Sequence, residues 1–181
     1  MNDIFVDTLC SENVRSKHQE ELEPYKTFIG SWEFDWIGHQ DDGSTYTVPG
    51  EWHFSWILEG RAIQDNWICP KRHLRSSGKY AEGEYGTTIR YYDFKEECIK
   101  VLWIGPILSN LNVFNVTHDK NQITQDEIMV IDNSRISRWV FKDIKEASFK
   151  WEAYVSNDNR KTWIMNQEVH AKRMIQKNKT G

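Results

Sequence analysis

From Phe28 to Met174 the chain reads as ten short segments in which apolar and polar side chains alternate, each cut off by a cluster of Asp, Asn, Ser, Gly or Lys. Alternation with period two marks a strand with one buried face. Connections of a few residues make successive strands antiparallel neighbours, hence a meander. The segments cover approximately residues 29–38, 46–58, 61–69, 86–93, 98–104, 111–117, 122–131, 135–143, 148–155 and 162–174. Between them stand turn sequences such as Asp41-Asp42-Gly43-Ser44, Glu59-Gly60, His118-Asp119-Lys120-Asn121, Asp132-Asn133-Ser134 and Ser156-Asn157-Asp158-Asn159-Arg160. A ten-stranded meander left open has two long unpaired edges, and closing it into a barrel removes both. Pro49, with Gly50 beside it, predicts a bulge or kink in the second strand.

The first strand, Trp32-Glu33-Phe34-Asp35-Trp36, puts three rings on one face of its pleat. Gly30 two residues earlier removes a side chain where the backbone runs close to another segment. Gly30-Ser31-Trp32 on the first strand, reached through a short helix and answered by Arg173 on the last, resembles the calycin superfamily of lipocalin-like barrels. The resemblance covers residues 25–175 and is nearest to small intracellular bacterial members. It implies an all-β fold, a single antiparallel up-and-down barrel of about ten strands. It also implies that Trp32 lies inside the closed end with Arg173 packed across it, so that Gly30, Trp32 and Arg173 form a structural closure.

On this reading residues 1–24 are a helical segment packed on the barrel, 25–175 the barrel and 176–181 a tail. Within the first part, residues 11–23 are rich in helix formers, with Val14, His18, Leu22 and Tyr25 on one narrow face and Pro24 ending the pattern.

If Trp32 and Arg173 face inward, parity carries around the sheet. Phe34 and Trp36 then face in on the first strand, and Trp52, Phe54 and Trp56 on the second. Phe149, Trp151, Ala153 and Val155 do so on the ninth, and Trp163, Met165, Gln167, Val169 and Ala171 on the last. The third strand is assigned Ile63, Asp65, Trp67 and Cys69 inside, the set with the larger apolar groups. A carboxylate inside needs a partner, and Arg90 on the next strand, sharing a face with Thr88 and Tyr92, is the candidate. Counting strands from the closed end puts the turns at 41–44, 70–85, 105–110, 132–134 and 156–161 at the opposite mouth. The long basic connection from Pro70 to Tyr85 is then a lid over it.

Nine Trp, eight Phe and seven Tyr are more ring than an aliphatic core of 181 residues calls for, and they suit the walls of a cavity. The expected site is therefore a pocket for a small hydrophobic or aromatic molecule, lined by Trp36, Trp56, Asp65, Trp67, Arg90, Tyr92, Trp103, Trp151 and Met165. Three alternatives compete with it: a haem-binding barrel, which the resemblance implies through a histidine near the chain's end; a cofactor-free enzyme built on Asp65 and Arg90, as in a few lipocalin-like barrels; and a filled barrel with a structural or interaction role. His170 is in the right stretch for haem, but parity turns it outward. No catalytic residue, cofactor or metal is assigned, since the six histidines are scattered and no nucleophile or phosphate-loop signature is present.

The net charge of −4, from 23 basic and 27 acidic residues, shows no basic field for nucleic acid. The N-terminal stretch lacks a basic, then apolar, leader, and no apolar run reaches about 18 residues. Cys10, Cys69 and Cys98 have no CxxC spacing and read as free thiols. The expectation is a cytoplasmic protein with a small hydrophobic ligand, no nucleic-acid or membrane partner, and room for a homodimer.

Overall fold

The computed structural model describes residues 4–9, 19–40, 42–81, 83–129 and 135–175. Ten strands make one closed antiparallel barrel in which every strand pairs with its sequence neighbours and the last returns to the first. They are β1 (Gly30–His39), β2 (Thr45–Ile57), β3 (Ala62–Cys69), β4 (Glu84–Asp93), β5 (Cys98–Gly105), β6 (Asn110–His118), β7 (Ile123–Glu127), β8 (Ile136–Lys142), β9 (Ser148–Ser156) and β10 (Ile164–Arg173). Closure is made by β1 and β10, in register from Trp32 opposite Arg173 to Gly38 opposite Gln167.

Two strands are shorter than the alternation predicts. β7 ends at Glu127, after which the Ile128 N–H donates to Val113 O at 2.8 Å and the chain leaves the ladder. β10 begins at Ile164 because the Thr162 N–H (2.9 Å) and hydroxyl (2.6 Å) are both held by the Asp158 carboxylate, which keeps residues 158–162 in the turn. The predicted turn at 132–134 and most of the predicted helix, residues 11–18, lie outside the described residues.

Among the described residues three short α-helices accompany the barrel: α1 (Ile4–Leu9), α2 (Glu23–Lys26) and α3 (Arg72–Arg75). Pro24 does not end the helical pattern. It occupies the first turn of α2, where a missing N–H costs nothing, and a 3₁₀ turn over Glu20–Leu22 leads into it. Leu22, Tyr25 and Phe28 from this segment have no solvent exposure and plug one end of the barrel.

Pro49 causes no bulge, because β1 and β2 keep an unbroken register with Asp35 opposite Pro49 and Phe34 opposite Gly50. The proline is tolerated because β2 pairs with β3 only from Glu51 onward. Gly50 serves packing, since a Cβ there would lie 2.1 Å from the Phe34 ring, which crosses its bare backbone.

At the closed end Trp32 and Arg173 lie against one another. The Arg173 guanidinium stacks 4.1 Å from the Trp32 ring centroid, while the Trp32 indole donates to Phe28 O at 2.6 Å. Arg173 also donates to Ile29 O (2.8 Å), to Thr27 O and to Glu146 O (2.7 Å), tying three segments to one cation. Gly30 has φ +118°, and a Cβ on it would meet Arg173 Nη1 at 2.9 Å. Both facts restrict this position to glycine.

Candidate functional site

Above the plug the interior is built in aromatic layers. Phe28 packs on Phe149 (4.8 Å between centroids), Phe141 (4.9 Å) and Phe54 (5.7 Å). The next layer holds Phe34, Trp52, Trp67 and Trp151, with Trp52 edge-on to Trp67 at 4.8 Å. These rings do not fill the barrel. Beyond them opens a cavity of ≈800 Å³, within the size range of small-molecule sites. Its wall includes six tryptophans, Trp36, Trp52, Trp67, Trp103, Trp139 and Trp151.

The inward face predicted for β3 is the observed one: Ile63, Trp67 and Cys69 lie in the core and Asp65 is buried, while Asn66 is exposed. Of the nine residues expected to bind ligand, Trp36, Trp67, Arg90, Trp103 and Trp151 line the cavity. Asp65 does not: it is fully buried and paired with Arg90. Trp56 and Tyr92 have the inward parity but the wrong height: β2 and β4 carry them down toward the closed-end turns, and Tyr92 packs on Phe94 at 4.9 Å. Met165 is excluded by a register shift between Met165 and Gln167, which turns Asn166 and Gln167 to the wall instead.

Arg90 and Asp65 form a direct ion pair with side chains 1% and 0% exposed. Burial pushes the Asp65 carboxyl up, against the opposing pull of Arg90, Trp52 and Thr88. Arg90 Nε finds no acceptor among the described residues; its guanidinium lies over the rings of Tyr25 (4.9 Å), Phe54 (5.5 Å) and Phe141 (5.9 Å). Burial also raises the Tyr25 hydroxyl to about 12, so it stays neutral and accepts a bond from Gln125 Nε2 at 2.7 Å. The pair therefore forms part of the floor and presents no free carboxylate to the lumen.

A polar collar surrounds the mouth, and most of it is invisible to parity counting. Glu127, 5% exposed, accepts from Asn112 Nδ2 (2.6 Å) and from the Ser137 N–H (2.8 Å). Glu84, 7% exposed, accepts from three backbone N–H groups: Tyr85, Ile107 and Leu108. Gln167 Oε1 accepts from the Trp36 indole at 3.0 Å. Lys79, Tyr80 and Ala81 from the long 70–85 connection and Leu108 and Ser109 from the next mouth turn also border the opening, so both connections lie where strand counting puts them. Tyr46, 5.3 Å from Trp36, and Trp139, 4.4 Å from Phe114, were legible only as members of alternating strands.

The long connection is staked to the outer wall. The Lys71 N–H donates to Pro49 O at 2.9 Å and Lys71 Nζ to Glu33 at 2.8 Å. Glu51 receives the Arg72 N–H (2.8 Å), Nε (2.9 Å) and Nη2 (3.0 Å). Burial alone would raise the Glu51 carboxyl, but Arg72 and His53 overcome it and hold the group at about 2.

No histidine lines the cavity among the described residues. His170 faces outward, exposed and hydrogen-bonded to Glu168, and His53 is on the outer face between Ser31 and Glu51. His18 and Cys10 lie outside the described residues. Cys69 borders the cavity, and burial pushes its thiol up to about 12. No group of three or more potential metal ligands occurs among the described residues. No helix is long and apolar enough to cross a membrane.

No protein-family model and no curated protein matches the chain. Its structure is similar to that of Rv2717c from M. tuberculosis, with a TM-score of 0.55 at 9% identity over 86% of this chain and 98% of that one. It is also similar to the S-type phycobiliprotein lyase CPES from Guillardia theta, with a TM-score of 0.54 at 10% identity over 90% of this chain and 99% of that one. The fold they share with this chain is that of a closed antiparallel β-barrel. At these identities the likeness is one of architecture.

Proposed function

We propose that this barrel binds a small, largely hydrophobic molecule with aromatic character in its lumen. The observation that carries the reading is the ≈800 Å³ cavity, walled by six tryptophans and open past a polar collar. A barrel whose rings served only as core would close that volume, since protein interiors tolerate few voids larger than a water molecule. The likeness to an S-type phycobiliprotein lyase agrees with a barrel of this size taking an organic guest.

The same geometry argues against the competing readings. Axial ligation of haem by histidine has no candidate in the described lining, His170 faces outward, and the Cys69 thiol is held protonated by burial. General acid–base catalysis by Asp65 would need a carboxylate within reach of substrate, and this one is fully buried, paired with Arg90 and not part of the cavity wall.

The test is a titration with 1-aminoanthracene, following energy transfer from tryptophan, alongside native mass spectrometry and an absorbance spectrum of freshly purified protein. The expected result is saturable binding of one probe per chain, with tryptophan emission quenched. Absence of saturable binding up to about 100 μM probe, together with a clean apo mass, would overturn the proposal.

A further inference from the structure

Resting on that reading of the lumen, we infer that the guest is an aromatic carboxylate, its rings among the tryptophans and its anionic group at the mouth beside Lys79 and Arg135. The case is an accounting of hydrogen-bonding capacity around the collar. Both carboxylates of the lining are already engaged by protein donors. Each oxygen of Glu84 accepts from backbone N–H groups, and each oxygen of Glu127 from Asn112 or Ser137. They keep their charge and are held by donors that the protein itself supplies.

What remains unspent is donors. Lys79 forms no ion pair among the described residues, its ammonium resting 5.2 Å from the Tyr80 ring. Arg135 likewise pairs with no carboxylate among them. With the Asn166 amide oriented to donate to Ala153 O (2.9 Å), one guanidinium N–H of Arg135 goes to its oxygen at 3.2 Å and the others are left over. Gln167 has its oxygen occupied by Trp36 and keeps its NH₂. Two cations and an amide donor on the border of an apolar cavity match a compact oxyanion on a flat body. The deep cation, Arg90, already has a counter-charge in Asp65, whereas Lys79 and Arg135 have none among the described residues, which favours the mouth for the charged end of the guest.

The experiment compares 1-pyrenebutyrate with its neutral counterpart 1-pyrenebutanol, by tryptophan-to-pyrene energy transfer, in the wild type and in Lys79→Met/Arg135→Gln. Both side chains are exposed, so the fold is not at stake. Wild type is expected to prefer the carboxylate by about tenfold or more. The double variant should lose that preference while binding the alcohol within about twofold of wild type. Equal affinity of wild type for the two probes, or a preference that survives the double substitution, overturns the anion assignment and leaves the cavity reading standing. Failure of wild type to bind either probe overturns both.

Discussion

Replacing Arg90 by methionine should cost the fold about 3–5 kcal/mol, the usual penalty for leaving one partner of a buried pair charged and alone. The structure makes the upper half of that range the expected one. Asp65 is wholly buried and keeps only Trp52 and Thr88 as neighbours able to stabilise its charge. The lost guanidinium also packs against Tyr25, Phe54 and Phe141, contacts worth about 0.5–2 kcal/mol together. Asp65→Asn should cost a similar amount, because it strands a cation that cannot deprotonate. Removing both, in Asp65→Leu/Arg90→Met, should return the protein to within about 1–2 kcal/mol of wild type. The double-mutant cycle would thus show a coupling of several kcal/mol. Urea unfolding followed by tryptophan emission reads these differences directly, and the singles should lower Tm by roughly 6–20 °C for a chain of this size. A single variant within about 1 kcal/mol of wild type, or a double variant whose cost is the sum of the two, would refute the reasoning.

Gly30→Ala should destabilise by about 1–3 kcal/mol in the same assay, because φ +118° and the 2.9 Å approach of Arg173 both penalise a Cβ; an unchanged midpoint would remove the explanation given for the Gly-x-Trp closure. Glu51→Gln should cost about 1–2 kcal/mol at pH 7. The folded carboxyl sits at about 2, below its unfolded value of 4.5, so its stabilisation is present above pH 4.5 and lost as pH falls toward 2. The gap between wild type and variant must therefore close across that window, and a gap constant with pH would contradict the role given to Arg72. Cys69, with its thiol raised to about 12 and its side chain buried, should resist a disulfide reagent at about pH 8 until the protein unfolds. Its labelling in the native state would show that the cavity wall opens there.

Much of the fold could be read from alternation alone, because one closed sheet with short connections obeys a single rule from Gly30 to Arg173. Parity, once anchored at Trp32, also found the Asp65–Arg90 pair and the inward tryptophans. Height along the barrel axis was harder. Trp56 and Tyr92 face inward but lie toward the closed end, and two side chains of the same parity are not distinguished by their period. Met165 was displaced by a register shift with no marker of Gly or Pro beside it. The collar of Glu84, Asn112, Glu127, Arg135 and Asn166 was missed because Glu84, Glu127 and Arg135 stand at or beside strand ends, Asn166 at a register shift, and Asn112 is a polar residue that an apolar-face criterion passes over.

The central claim is that the lumen above Trp67 and Trp151 is open and takes an organic guest. The most direct test is a crystal structure of the protein with 1-bromonaphthalene, using bromine anomalous scattering to locate the probe. An ordered bromine inside the barrel, in contact with Trp36, Trp103 or Trp139, is the predicted result. A lumen closed by those rings, with bromine found only on the outer surface, would contradict it.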